Sequence, residues 1–264
     1  MQAVILDWAG TTVDHGSLGP AIALRKAFEE RGVEITVEEA RRHMGLLKTD
    51  HIRSILAIER VAETWKHTFD RSPREDDVRQ LYQAFEALHF ESVETIDVIA
   101  GVPDAVEKMR SAGLRIGSTT GYTRLMLRRL LARAGSQGYG PDCSVTPEEV
   151  GGGRPKPWMC YRNLIELRVF PTSACVKIGD TPVDIEEGRN AGMWTIGVAR
   201  TGNTIGLSEA EWLALDARAR EIHLDAARRS LLEAGADFVI ESLADLEGAF
   251  EAIEKRLRSG EIPH

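Results

Sequence analysis

Five stretches of the chain are continuously or nearly continuously apolar and rich in β-branched side chains: AVILDW (3–8), LRIGSTT (114–120), ACVKIGD (174–180), WTIGVA (194–199) and ADFVIES (236–242). A strand covered by helices on both faces reads this way, because neither face can be polar. Apolar residues at helical spacing fill VPDAVEKMRSAG (102–113), TRLMLRRLLARAG (123–135), PWMCYRNLIELR (157–168) and PVDIEEGRNAG (182–192). Gly113, Gly135 and Gly192 stand where three of these helices would stop, since glycine takes the left-handed backbone that closes a helix C-terminus. The alternation of strand and helix predicts an α/β fold, a doubly wound parallel sheet of Rossmann-like type.

Between the first two strand signals the pattern changes. LGPAIALRKAFEERG (18–32), TVEEARRHMG (36–45), HIRSILAIERVAETW (51–65) and EDDVRQLYQAFEALHFESV (75–93) all carry helical spacing and almost no strand signal. Thr36 with Glu39 has the form of a capping box. Ser72-Pro73 marks a turn. The expectation is an all-helical cap, residues 17–100, inserted into a core made of residues 1–16 and 101–264. Residues 205–231 read as helical and peripheral, with no function legible in them.

Composition narrows the partners. A formal net charge of −8, with no dense basic run, argues against nucleic acid. A small anionic substrate remains open, because a local cluster of cations can override an acidic surface. Cys143, Cys160 and Cys175 are odd in number and lack metal-type spacing, so buried reduced thiols in a cytoplasmic protein are expected. The opening MQAVILDWAG lacks a positive n-region and reads as a core strand, and no stretch approaches the length of a membrane helix.

Ligands of an open parallel sheet bind beyond the carboxyl ends of its strands. Asp7, Thr119, Thr120 and Asp180 all fall at such ends, with Asp184 close behind in GDTPVD. One strand-end aspartate is as often a cap or turn residue; several on one rim are not expected from capping alone. Asp7 and Asp180 facing each other would repel unless a cation lay between them, and hard oxygen donors suit Mg²⁺. The Ala9 carbonyl offers a third ligand. Gly10, Thr11 and Thr12 offer backbone N–H groups, and Thr119 or Thr120 a hydroxyl with the Gly121 amide, to phosphoryl oxygens. Arg154 in GGGRPKPWM supplies a guanidinium suited to bidentate contact. Lys156 reads as a surface charge, and Tyr122 and Trp158 as packing residues.

The stretch MGLLKTDHI (44–52) is the odd one. On a helix, Met44, Lys48, His51 and Ile55 share one narrow face, being spaced 4, 3 and 4 apart. From spacing alone, a snorkelling lysine and a satisfied core histidine are the better reading.

DWAGTT, STTGYT, GRPKPWM and GDTPVDIEEGRNAGMW together resemble the four motif loops of the haloacid dehalogenase superfamily. With MGLLKTDHI added, the chain resembles the phosphonoacetaldehyde hydrolase (phosphonatase) family within it, over nearly its whole length. The resemblance places the Lys48 face over Asp7. A lysine in a closed, dry pocket loses proton affinity, and its neutral amine can form an imine with an aldehyde.

The missing acid at Ala9 then has a reason. Relatives that cleave phosphate esters carry an acid two residues after the nucleophile, which protonates a leaving oxygen. A carbon leaving group needs an electron sink instead, which an imine on Lys48 supplies. The resemblance implies hydrolysis of phosphonoacetaldehyde, a small-molecule phosphonate, with Lys48 as Schiff base and Asp7 as nucleophile. Asp7, the Ala9 carbonyl and Asp180 would hold Mg²⁺. Arg154, Thr120, Gly121, Thr11, Thr12 and Met44 would line the substrate site, His51 would shuttle protons, and a homodimer would form through the cap. Three alternatives remain: a Mg²⁺-dependent phosphatase or phosphomutase, which predicts an acid at position 9; a dehalogenase, which would not need the Asp180 metal site; and a catalytically silent sensor of phosphorylated metabolites.

Overall fold

The structure is a computed structural model that describes residues 1–263, with side chains for all of these except Glu91, Ser92 and Glu94. Strands β1 (Ala3–Leu6), β2 (Arg115–Thr119), β3 (Cys143–Val145), β4 (Cys175–Gly179), β5 (Trp194–Val198) and β6 (Phe238–Ile240) form one sheet in the order β3-β2-β1-β4-β5-β6. Every neighbouring pair is parallel. Alternate residues of β1 serve opposite layers, as the pleat requires. Val4 and Leu6 join the core shared with the cap, while Ala3 and Ile5 pack with Cys160, Leu164 and Cys175 on the other face.

The five strands expected from the sequence are present, and β3 is an addition. It is three residues long, half-buried and at the sheet edge, so it lacks the apolar run that marks the others. Helices α1 (Leu18–Glu29), α2 (Val37–Arg41), α3 (Lys48–Leu56), α4 (Glu59–Phe69) and α5 (Glu75–Ser92) stand between β1 and β2. The Thr36–Glu39 capping box opens α2. The expected helix over 51–65 is broken: Ile58 is extended (ψ 125°) and starts α4. A continuous helix would turn Val61 and Trp65 about half a turn away from Ile52, Ile55 and Leu56. The break lets all five reach one core.

The core helices α6 (Val102–Ser111), α7 (Arg124–Ser136), α9 (Trp158–Leu167) and α10 (Pro182–Asn190) follow the expected order, and the single-turn α8 (Pro147–Val150) is an addition. Gly113 (φ 83°) and Gly192 (φ 70°) end their helices in the left-handed conformation. Gly135 does not; it lies within α7, and the left-handed turn comes later at Gly138 (φ 87°). Helices α11 (Glu209–Ala214) and α12 (Ala217–Glu233) account for the helical reading of 205–231. Ile205, Trp212, Leu224, Ala227 and Leu231 bury a separate apolar cluster under them. Helix α13 (Leu246–Arg258) completes the fold. The three cysteines are free, and Cys143 is only half-buried. No described helix is long and apolar enough to cross a membrane.

Candidate active site

Register brings the chemistry to one place. Leu6 stands opposite Ser118 on one side and Ile178 on the other, so β1, β2 and β4 end level with one another. The residues just past these ends are Asp7, Thr120 and Asp180, at the point where strand order reverses between β1 and β4. The turn after Asp7 is tight. Gly10 has φ +85°, and a Cβ there would fall 2.4 Å from Asp180 Oδ2, so only glycine lets the two loops meet.

That tightness consumes donors expected to be free. Gly10 N–H donates to Val13 O (2.8 Å), while Thr11 N–H (3.2 Å) and Thr12 N–H (2.8 Å) donate to Trp8 O. The Thr12 hydroxyl donates to Asp7 O at 2.9 Å, and the Thr11 hydroxyl to Asp180 Oδ1 at 3.3 Å. The amides of Gly10, Thr11 and Thr12 therefore do not form the open anion cradle expected from the sequence, because a turn this short closes on its own N–H groups.

Asp7, Asp180, Asp184 and Glu187 are buried carboxylates, and they share their surroundings with the buried cations Arg154 and Lys177. Arg154 reaches Asp7 Oδ1 at 2.6 Å, Asp184 Oδ1 at 3.1 Å and Glu187 Oε2 at 2.9 Å. Lys177 lies 2.8 Å from Asp184 Oδ1 and 3.3 Å from Glu187 Oε2. Burial raises the Asp7 carboxyl above its usual range, and Asp184 adds to this against Arg154. Burial followed by Asp7 raises Asp180 further. Burial would raise Asp184 as well, but Arg154 and Lys177 outweigh it and hold that carboxyl low. The negative charge is thus in excess at Asp7 and Asp180. Oxygens of Asp7, Asp180 and Asp184 lie within 4.8 Å of one another. This donor set and this charge imbalance fit a hard divalent cation.

The cap supplies the other wall. Lys48 is the first residue of α3, is only 6% exposed, and has its Nζ 3.7 Å from Met44 Sδ and 3.4 Å from His51 Nδ1. Met44 is not on the helix, as its spacing suggested; it sits in the turn before α3 and reaches Lys48 from there. The Phe85 ring lies under the ammonium, 5.0 Å from Nζ. Burial lowers the Lys48 pKa to about 7. Burial, then the charge of Lys48, pushes His51 well below the usual histidine value.

Asp7, Ala9, Met44, Lys48, Thr120, Gly121, Arg154 and Asp180 line one cavity of about 30 Å³. Thr11, Thr12 and His51 are not among its lining residues. The sequence left open which threonine and which cation face the site. Thr120 lines the cavity, whereas the Thr119 hydroxyl is tied to Glu187 (2.9 Å) and accepts from Arg154 (2.8 Å). Arg154 is buried, while Lys156 is exposed and lies over the Trp158 ring at 4.5 Å.

Three residues went unrecognised in the sequence. Lys177 is a charge inside a strand buried along its whole length, and that mismatch was a visible signal. Glu187 follows Asp184 by three positions on α10, which places both toward the sheet. Tyr122, read as packing, lines the cavity with a buried hydroxyl that has no hydrogen-bond partner among the described residues.

A family model described as haloacid dehalogenase-like hydrolase matches residues 1–192. The phosphonoacetaldehyde hydrolase of Bacillus cereus is 46% identical over 257 residues, 97% of each chain. That of Bacillus mycoides is also 46% identical, with the same coverage. A solved phosphonoacetaldehyde hydrolase-like protein from Oleispira antarctica has TM-score 0.97 and 39% identity over 99% of this chain and 95% of its own. The chain therefore belongs to the haloacid dehalogenase-like hydrolases and, within them, to the phosphonoacetaldehyde hydrolase family.

Proposed function

We propose that this enzyme hydrolyses the carbon–phosphorus bond of phosphonoacetaldehyde to acetaldehyde and phosphate. One observation carries the mechanism: a buried lysine with a pKa of about 7 lines the same cavity as a strand-end aspartate. The neutral Lys48 amine adds to the aldehyde carbon, and the carbinolamine takes up a proton and loses water to leave a protonated imine. An Asp7 oxygen attacks phosphorus, and the electrons of the carbon–phosphorus bond pass into the imine, giving an enamine. Water hydrolyses the aspartyl phosphate. The enamine takes a proton on carbon, and a second water releases acetaldehyde from Lys48.

Other groups serve these steps. Arg154 holds Asp7 from one side and faces phosphoryl oxygens with its guanidinium. Thr120 and Gly121 line the same cavity, and Met44 packs against the lysine. His51, kept neutral by burial, passes protons to and from Lys48. Asp7, the Ala9 carbonyl and Asp180 would hold Mg²⁺, with Asp184 behind them. When bound, Mg²⁺ screens the repulsion between Asp7 and the phosphonate. No acid is needed at Ala9, because the leaving group departs as a neutral enamine. A cavity of about 30 Å³ admits little more than a water, so substrate reaches it only when the cap opens. A homodimer paired through the cap and a cytoplasmic setting belong to the same proposal on family likeness; sedimentation showing a monomer at micromolar concentration would remove the first.

Phosphate release from phosphonoacetaldehyde, set against a panel of phosphate esters, tests the reaction. Borohydride reduction in the presence of substrate tests the imine. A mass increment on the peptide carrying Lys48 is expected, and an increment elsewhere refutes the assignment.

A further inference from the structure

One contact between cap and core falls on the loop that holds a proposed metal ligand. Arg41, the last residue of α2, donates from Nη1 to the carbonyl of Asn203 at 3.1 Å and to that of Gly16 at 3.3 Å. Asn203 returns a bond, from Nδ2 to the Arg41 carbonyl at 3.3 Å. The backbone N–H of the same Asn203 donates to Asp180 Oδ2 at 2.7 Å. The cap thus grips, from both backbone and side chain, the residue that orients one carboxylate oxygen of Asp180.

The surroundings are shaped for this grip. Gly206 has φ +63°, and a Cβ there would lie 1.2 Å from Arg41 Nη1, so the guanidinium occupies the space that a side chain would take. The loop is tied to the core at its other end, where the Thr201 hydroxyl donates to Gly10 O and Gly16 N–H to Thr201 O, each at 2.7 Å. Neither Arg41 nor Asn203 lines the cavity that contains Asp7 and Lys48.

We propose that Arg41 and Asn203 form a latch by which the seated cap sets the Asp180 carboxylate for cation binding, so that closure and metal affinity are coupled. Both are positioning residues. The inference rests on the reading of Asp180 as a metal ligand. An oriented carboxylate pays less to bind a cation, and loss of the groups that orient a ligand typically weakens metal affinity 10–100-fold. Coupling of this kind is reciprocal: bound cation must also favour the closed cap.

Isothermal titration of the intact protein with MgCl₂, without substrate, tests this. Arg41→Ala should bind Mg²⁺ about 10-fold more weakly than wild type. Gly206→Ala leaves both latch residues in place but displaces the guanidinium, and should weaken binding in the same direction. A simple charge effect predicts the opposite, because deleting a cation near Asp180 makes the site more attractive to Mg²⁺. A second readout is limited proteolysis of the cap, which Mg²⁺ should slow in wild type and not in Arg41→Ala. Thermal melts in chelator confirm that each variant is folded. Unchanged or tighter Mg²⁺ binding in a folded Arg41→Ala or Gly206→Ala protein overturns the latch alone. Absence of Mg²⁺ binding by wild type overturns the metal site, and the latch with it, whatever the fate of the Schiff base.

Discussion

Lys48 Nζ lies 3.4 Å from Nδ1 of His51, one turn along the same helix, and no carboxylate among the described residues forms an ion pair with it. A buried lysine without a counter-charge is an expensive feature. Its position at the start of α3 adds the positive end of the helix dipole, which further disfavours the ammonium. His51 cannot compensate, because it is held neutral itself. The arrangement favours a free amine near neutral pH, which is the form that attacks an aldehyde.

Activity should therefore follow the Lys48 titration. Below its pKa of about 7 the amine is protonated and inert, so kcat/KM should rise roughly 10-fold per pH unit and then level off. The yield of borohydride adduct should trace the same curve. A profile flat from roughly pH 5.5 to 8.5 would separate Lys48 from the chemistry.

Replacing Lys48 should trade function for stability. In the unfolded chain Lys48 keeps its proton up to 10.5, while in the folded protein it gives it up above about 7. The unfolded state thus binds more protons between those values, and the penalty from Lys48 shrinks as pH rises through that window. Lys48→Met removes the penalty and keeps the volume. It should abolish turnover and stabilise the fold at pH 7 by a few kcal/mol, at about 1.4 kcal/mol per pKa unit, with little gain left near pH 10. Urea denaturation at the two pH values checks this; a less stable Met variant at pH 7 contradicts it.

Gly45 tests how closely the cap must seat. It has φ +93°, and an added Cβ would lie 2.6 Å from Val183 Cγ2 and 2.7 Å from Thr181 Oγ1 on the core. Gly45→Ala should hold the two surfaces apart and lower kcat/KM on the order of 10²-fold, since small displacements of reacting groups are costly. Steady-state kinetics should show the loss mainly in kcat, with a change in melting temperature of only a few degrees. Wild-type kcat would mean that closure is looser than this contact requires.

Arg154→Lys keeps the charge but not the fork. A single ammonium cannot serve Asp7, Asp184 and Glu187 together as the guanidinium does. The expected outcome is a fall in kcat of roughly 10²-fold or more, together with a lower melting temperature, because a carboxylate is left buried without its partner. Single-turnover phosphate release measures the first effect and calorimetry the second. Near-normal kcat would show that Asp7 needs only a nearby positive charge.

The sequence made the strands of the parallel sheet legible apart from β3, because burial on both faces leaves a continuous apolar run that needs no partner to be recognised. It also exposed Asp7 and Asp180 as candidates by their places at strand ends, and Arg154 by its place among glycines just before a helix. Capping boxes such as Thr36–Glu39 are equally local. Other features depend on where the chain arrives. The break at Ile58 follows from two apolar faces having to meet one core, and Met44 reaches Lys48 from a turn that helical spacing alone would have continued as helix. The amides after Asp7 are spent within their own turn, a matter of backbone geometry at Gly10 that residue types do not encode. Lys177 and Glu187 acquire meaning only when β4 and α10 pack against each other. Periodicity along a chain reports which side of an element is buried; it carries no information about which buried groups face each other across elements. The low proton affinity of Lys48 arises from its burial, which the spacing of residues along the chain does not report.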